Sequence, residues 1–384
     1  MTGNSKISKS IPLAAAIAAL AACSPSAENG DERERRDGSG ASVTDVETAE
    51  VPEAAPPDPA LDAARYALQQ RIVEIGNDFG GTMGISVIDV ESGWSTGFNE
   101  TVLLPQQSVS KMWVTLAALD AVDRGKLSLD APIAVRRENL TVFHQPIRSE
   151  VLSRGVVQTN PGDLITRAIT KSDNTANDVL LGQVGGPDGV RQVLASKQID
   201  NIRFGPGERL MQSAIAGMNW RQEYAYTRQG FYDARDKVPA DVREAAFNRY
   251  LADPVDGAMP VAIARTLARL ARGELLSESS TARFIETMKN TSSGPRRLKG
   301  AVRGEWTIAH KTGTGQYWDG RQSGYNDIGL LFAPDGRVYA IAVMIGETRK
   351  GVPESTAMMQ SVTRAVMDFD IARDAEPEEQ PEVE

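Results

Sequence analysis

The sequence predicts an α+β fold: one antiparallel sheet flanked by helices, plus an all-helical lobe formed by the middle of the chain. Two observations carry this. Strand patterns fall near both ends of the region able to fold, and helical periodicity dominates between them. Strands segregated from helices in this way give an α+β arrangement, not an alternating α/β one. The first and last segments are expected to share the sheet. A cleft between the lobes is then the default ligand site.

In chain order, 63–79 has a helical pattern that stops at Gly80-Gly81. Across 82–89, Met83, Ile85 and Val87 alternate with other residues, a strand signal. Glu91-Ser92-Gly93 reads as a turn and 94–98 as the return strand. In 108–124, Val109, Met112, Trp113, Leu116 and Leu119 recur at helical spacing, and Gly125 is the stop. A mostly helical stretch follows to about 275. Residues 306–311, 324–332 and 338–345 read as strands, the last two joined by Pro334-Asp335-Gly336. A closing helix covers 353–370. The sheet lobe is placed at about 61–107 and 257–373, and the helical lobe at about 108–256.

The ends have a different composition. Lys6 and Lys9 precede an Ala-rich apolar run over 11–22, too short for a permanent membrane span. The run closes as Leu20-Ala21-Ala22-Cys23, which resembles the bacterial lipoprotein cleavage box. That reading makes 1–22 a signal peptide and Cys23 the lipidated first residue of the mature chain. Ser24 rather than Asp after it points to the outer membrane, so the expected location is the periplasm, with membrane contact by the lipid anchor only. Residues 23–60 are poor in large apolar side chains and read as a disordered acidic tether, and 374–384 as a disordered acidic tail. The folded domain is therefore 61–373.

Of 384 residues, one is Cys and two are His, and the net charge is −9. The near-average composition excludes full-length disorder and collagen-like repeats. A single Cys excludes internal disulfides and argues against a Cys/His zinc site, so no metal or cofactor is expected. A hydrolase built from this chain would draw its base from Lys or a carboxylate. The acidity belongs to the ends: 24–60 holds 3 basic and 10 acidic residues, whereas 61–373 holds 37 basic and 35 acidic. A near-neutral body suits a cleft that takes an anionic substrate. It lacks the basic surface that nucleic-acid binding needs.

Three short motifs carry chemistry. Ser108-Val109-Ser110-Lys111 puts a hydroxyl and an amine three residues apart, on one helical face, where a partly neutral Lys can take the Ser proton. Ser172-Asp173-Asn174 offers a proton relay and an amide, although each of its residue types also suits a helix cap. Lys311-Thr312-Gly313 puts a cation and a hydroxyl on a strand, with Gly313 expected to leave the strand open to a ligand.

In this order the motifs resemble the S-x-x-K, S-D-N and K-T-G signature of class A serine β-lactamases and penicillin-binding proteins. The likeness extends through Lys171–Ala176 and Ala309–Gly315 and covers about 62–370. It implies a serine β-lactamase acting through a Ser108 acyl-enzyme. Lys111 or a Glu acting through water removes the Ser108 proton, and the N–H groups of Ser108 and Thr314 hold the oxyanion. Ser172 protonates the lactam nitrogen and Asn174 holds the substrate amide. Lys311, Thr312 and Thr314 hold its carboxylate. The family's deacylating Glu maps to Glu208, 36 residues after Ser172, in Glu208-Arg209-Leu210-Met211-Gln212. Gln212 there keeps a water-holding amide. Other enzymes of the same fold, a D-Ala-D-Ala carboxypeptidase among them, and a non-turnover penicillin-binding module are the alternatives. The expected partner is a small-molecule β-lactam, and the expected state a monomer.

Departures are visible. Asp178 stands where the family has Asn, and Pro206 where it has the Arg of an ion pair. The stretch after Gln212 is about 35 residues longer than the family pattern calls for. It holds Trp220, Tyr224, Tyr226, Phe231, Tyr232, Phe247 and Tyr250 within 213–256. So many aromatics argue for an ordered element, either a lid over the cleft or an elaboration packed on itself. His144 is a candidate for the cleft mouth, His310 a structural neighbour of Lys311, and Arg321 a minor candidate for carboxylate contact.

Overall fold

This computed structural model describes residues 58–374. The expected leader, Cys23, most of the tether and the tail past Asp374 lie outside the described residues.

Helix α1 (Pro59–Phe79) starts where its sequence allows. Asp58 caps the N–H groups of Ala60 and Leu61, Pro59 takes the first turn, and Gly80 ends it at φ +65°. Strands β1 (Thr82–Asp89) and β2 (Ser95–Phe98) follow as a hairpin. Strand β3 (Leu104–Pro105) leads through a 3₁₀ turn, Gln107–Ser110, into α2 (Lys111–Asp123). The helical lobe continues with β4 (Ile133–Arg136), α3 (Arg148–Arg154), β5 (Val156–Thr159), α4 (Pro161–Thr170), α5 (Asn174–Gln183), α6 (Gly186–Ser196) and α7 (Glu208–Ile215). The long aromatic stretch forms α8 (Gly230–Arg235) and α9 (Ala240–Ala252). The chain returns through β6 (Gly257–Ala258), α10 (Pro260–Ala271) and α11 (Glu278–Lys289). It ends with β7 (Thr307–Thr314), β8 (Tyr317–Trp318), β9 (Arg321–Gln322), β10 (Tyr325–Phe332), β11 (Val338–Glu347) and α12 (Val352–Ala372).

The main sheet runs β2-β1-β11-β10-β7, antiparallel throughout, so the first and last segments do share it. Strand β11 shows why it forms a two-sided core. Tyr339, Ile341, Val343 and Ile345 face α1 and α12, while Ala340, Ala342 and Met344 face the helical side. Three short pairings escaped the sequence reading: β3 with β6, β4 with β5, and β8 with β9. Strands of two to four residues leave no periodicity to read. Strand β7 extends three residues beyond expectation, so the whole Lys311-Thr312-Gly313 motif lies on the strand at the sheet edge.

Candidate active site

Ser108 sits in the 3₁₀ turn that opens α2, one residue after Gln107, whose φ is +54°. A left-handed residue at that point is strained and must be held. It is: the Gln107 N–H donates to Asp256 Oδ2 at 2.7 Å, and its side-chain amide donates to the Tyr250 hydroxyl at 2.6 Å. Tyr250 donates to Asp256 Oδ1 at 2.9 Å. Asn326 of β10 grips the preceding carbonyls of Pro105 and Gln106 at 2.8 and 3.0 Å.

Lys111 is fully buried at the first position of α2. Its ammonium reaches Ser108 Oγ at 2.7 Å and also binds the Glu208 carboxylate. Glu208 opens α7 and is itself buried, directly after Gly207 at φ +94°, a value glycine tolerates. Gln212, one turn on, lies 3.4 Å from Glu208 Oε2. Its amide also donates to Gln107 Oε1 at 3.0 Å, and its carbonyl oxygen accepts from Gln316 at 3.1 Å. Gln212 thereby latches α7 to the turn that carries Ser108. Asp178, in place of an Asn, accepts the Glu208 N–H at 3.2 Å. Burial, and then the charge of Glu208, push its carboxyl up to about 6.

In Ser172-Asp173-Asn174 the helix cap is realised, and the motif also brings Ser172 to Lys311. Asp173 caps α5, accepting from the Ala176 N–H at 3.1 Å. Ser172, left-handed at φ +55°, receives Lys311 Nζ at 3.0 Å. Asn174 donates its side-chain amide to the Val142 carbonyl at 2.9 Å and its N–H to the His144 carbonyl at 2.9 Å. It thus fixes the loop that carries Phe143 and His144 to the cleft mouth, where His144 is an exposed lining residue.

On β7, Thr312 and Thr314 line the cleft while Lys311 and Gly313 share the opposite parity. Burial, reinforced by the charges of Lys111 and Arg297, holds the Lys311 ammonium well below the usual lysine range. The role assigned to Gly313 needs correcting. A Cβ there would meet the Gln106 carbonyl oxygen at 2.3 Å, so the glycine lets the strand close on the nucleophile turn and does not open it to a ligand. Arg321 is not a lining residue; it pairs with Glu347 at 3.2 Å. His310 pairs with Asp327 at 3.0 Å, a structural neighbour as expected.

Arg297 was missed. Buried, it donates to the Gly313 carbonyl at 2.8 Å and to Thr314 Oγ1 at 2.5 Å, and it lines the cleft beside Thr312 and Thr314. It lies in the loop between α11 and β7, outside any motif, so no signal in the sequence singled it out.

These groups converge on a cavity of about 570 Å³. Among the described residues, no three His, Cys, Asp or Glu side chains come together as a metal-binding group. The arrangement sets the Ser108 hydroxyl beside a buried amine with a carboxylate behind them, and a second hydroxyl, Ser172, against Lys311. A wall of Lys311, Thr312, Thr314 and Arg297 fits an anion.

A family model described as the beta-lactamase enzyme family matches residues 67–369. A beta-lactamase of Bacteroides uniformis is 26% identical over 304 residues, covering 78% of this chain and 90% of that one. A solved beta-lactamase from Chitinophaga pinensis is 26% identical with a TM-score of 0.66, covering 79% of this chain and 99% of that one. A class A beta-lactamase from Bacteroides cellulosilyticus, 24% identical, shares the fold at a TM-score of 0.64, over 80% and 98% of the two chains. With the match spanning the folded body, and with all three motifs meeting in one cleft, the chain belongs to the class A beta-lactamase enzyme family.

Proposed function

We propose that the protein hydrolyses β-lactams through a Ser108 acyl-enzyme that Glu208 clears with water. The observation that supports this most is the buried bridge in which Lys111 Nζ contacts both Ser108 Oγ and the Glu208 carboxylate. A penicillin-binding acylase needs the first contact. Only an enzyme that must also deacylate needs a carboxylate buried at this point.

Ser108 Oγ attacks the lactam carbonyl as its proton passes to Lys111 and on to Glu208. The N–H groups of Ser108 and Thr314 hold the oxyanion. When the C–N bond breaks, the nitrogen takes a proton from Ser172, which is resupplied by Lys311 at 3.0 Å. A Lys held below its usual range is a better proton donor at neutral pH. The substrate carboxylate sits against Lys311, Thr312, Thr314 and Arg297, and Asn174 takes the side-chain amide. Before deacylation Glu208 releases its proton to solvent and Lys311 recovers one from it. Water then loses a proton to Glu208 and attacks the acyl carbonyl, Ser108 leaves with a proton from Lys111, and Glu208 returns its proton to Lys111.

With a chromogenic cephalosporin, the wild-type protein should turn over many times and leave no persistent adduct by intact mass. Glu208→Gln should acylate once and hold the adduct, with deacylation slowed by at least about 100-fold. A stable Ser108 adduct in the wild type would instead mark a penicillin-binding acylase. Undiminished turnover by Glu208→Gln would remove Glu208 from its role.

The protein works as a monomer in the periplasm, anchored to the outer membrane by lipid on Cys23. Support comes from the Leu20-Ala21-Ala22-Cys23 run, whose cysteine is the only one in the chain.

A further inference from the structure

The stretch after Gln212 does more than pack on itself. Its first half is tied to the helical lobe: Arg148 donates to the carbonyls of Ala225 and Tyr226 at 3.1 and 2.9 Å, and Gln222 to that of Leu140 at 2.9 Å. Its second half reaches the strand wall, where Arg243 stacks 3.9 Å over Trp318 and contacts the Tyr317 carbonyl. Between these anchors, α8 puts Tyr232 and Arg235 into the lining of the cleft that holds Ser108. Phe143 lies against them, its ring edge-on to Phe231 at 4.8 Å and tilted to Tyr232 at 5.6 Å. Phe143 holds a φ of +56°, rare for a bulky residue, so its placement is enforced by its surroundings.

Arg235 is the group without a counterpart. Its guanidinium lies 4.9 Å from the centre of the Tyr232 ring. The side chain is 15% exposed, yet it makes no hydrogen bond among the described residues, and its Nε is buried without a partner. The carboxylate beside it, on Asp236, is 3.8 Å away, 62% exposed, and shared with Arg243 at 3.9 Å. Two guanidiniums thus face one carboxylate screened by water. Burial, and then the charge of Arg235, push the Arg243 guanidinium down to about 10. A largely desolvated guanidinium with free donors favours an incoming anion, and its planar fork matches a carboxylate.

The β-lactam ring carboxylate already has its own wall on β7. The part of the substrate left for α8 is the substituent beyond the amide held at Asn174. We propose that Arg235, Tyr232 and Phe143 form a side-chain subsite that selects β-lactams whose acylamino substituent carries a carboxylate beside an aryl or other planar ring. The aromatic wall takes the ring and Arg235 pairs with the carboxylate. This rests on reading the cleft as a β-lactam site.

The test is a matched pair, α-carboxybenzylpenicillin against benzylpenicillin, which differ only in that carboxylate. With the full chain, Arg235→Gln should lower kcat/KM for the carboxylated substrate about tenfold, mainly through KM, and leave benzylpenicillin within about twofold. Arg235→Lys should recover part of the loss, and Arg235→Glu should deepen it. Equal losses on both substrates, or no loss on either, would overturn the subsite. If the wild type turns over neither penicillin, the hydrolase reading fails. The same pair is then compared by rates of Ser108 adduct formation, where a ratio independent of residue 235 sinks the subsite alone. No adduct with either penicillin overturns both.

Discussion

Asp178 and Asp256 flank the Glu208 carboxylate, and both carboxyls are pushed up to about 6, first by burial. Asp178 has only the distant guanidinium of Arg209, at 3.9 Å, and among the described residues Asp256 forms no ion pair. A carboxyl raised from 3.8 binds its proton more tightly in the folded chain than in the unfolded one. Its contribution to stability is therefore present below about 3.8 and lost as pH rises through about 6. Asn at 178 could still accept the Glu208 N–H without carrying a charge. Asp178→Asn should be more stable than the wild type at pH 8, by up to about 3 kcal/mol, and nearly equal to it at pH 4. Urea unfolding at the two pH values measures this, and an equal midpoint at pH 8 would show that the charge carries no penalty. The residue scale was partly legible from sequence. Asp178 and Pro206 stood out as departures, but the answer to them did not. Pro206 cannot supply a guanidinium, and buried Asp256 accepts from the Gln107 N–H and the Tyr250 hydroxyl.

Helix α9 shows what an element can do that its sequence does not announce. Read alone, 240–252 is one part of a mostly helical stretch. In the fold, Phe247 and Tyr250 pack on Met211 and Ile215 of α7, and the Tyr250 hydroxyl reaches the turn carrying the nucleophile. The element thus supports the left-handed Gln107 that aims Ser108. Tyr250→Phe keeps the ring and its packing but leaves Gln107 Nε2 and Asp256 Oδ1 each short of one partner. The expected cost is about 1–3 kcal/mol of stability. Acylation of Ser108 should slow more than the melting temperature alone explains. Stopped-flow acylation beside thermal unfolding measures both, and an unchanged acylation rate would leave α9 with packing alone. The motif elements were legible because each pairs a spacing with a regular structure. Strand β7 fell where the sequence put it but for its last three residues, and Asp173 caps α5 as its residue type allows.

At the scale of the molecule, α1 and α12 close one face of the sheet from opposite ends of the described chain, while α10 and the helical lobe close the other. The catalytic groups lie where the edge strand β7 meets that lobe. The body carries 37 basic and 35 acidic residues over 61–373, so its net charge gives an anionic substrate little attraction, and the proposed site relies on local cations. The lipid anchor proposed at Cys23 is likewise tested on the whole chain. In a Gram-negative host the wild type should partition with detergent-extracted membranes and Cys23→Ser should be released to the soluble periplasmic fraction, with unchanged kcat/KM. Wild-type protein found entirely soluble after fractionation would sink the lipid anchor.

By itself the sequence determined the α+β class, the sheet shared by the first and last segments, the three motifs and the position of Glu208. These depend on local periodicity and short spacings, which one strand of text preserves. Only the tertiary structure decided that Gly313 serves the nucleophile turn, that Arg297 joins the carboxylate wall, and that the long stretch after Gln212 both holds Gln107 and lines the cleft with Arg235. Each of these is a contact between residues 16 or more apart in the chain. Such contacts follow from how side chains fill a shared core and satisfy buried polar atoms, and no local pattern encodes them.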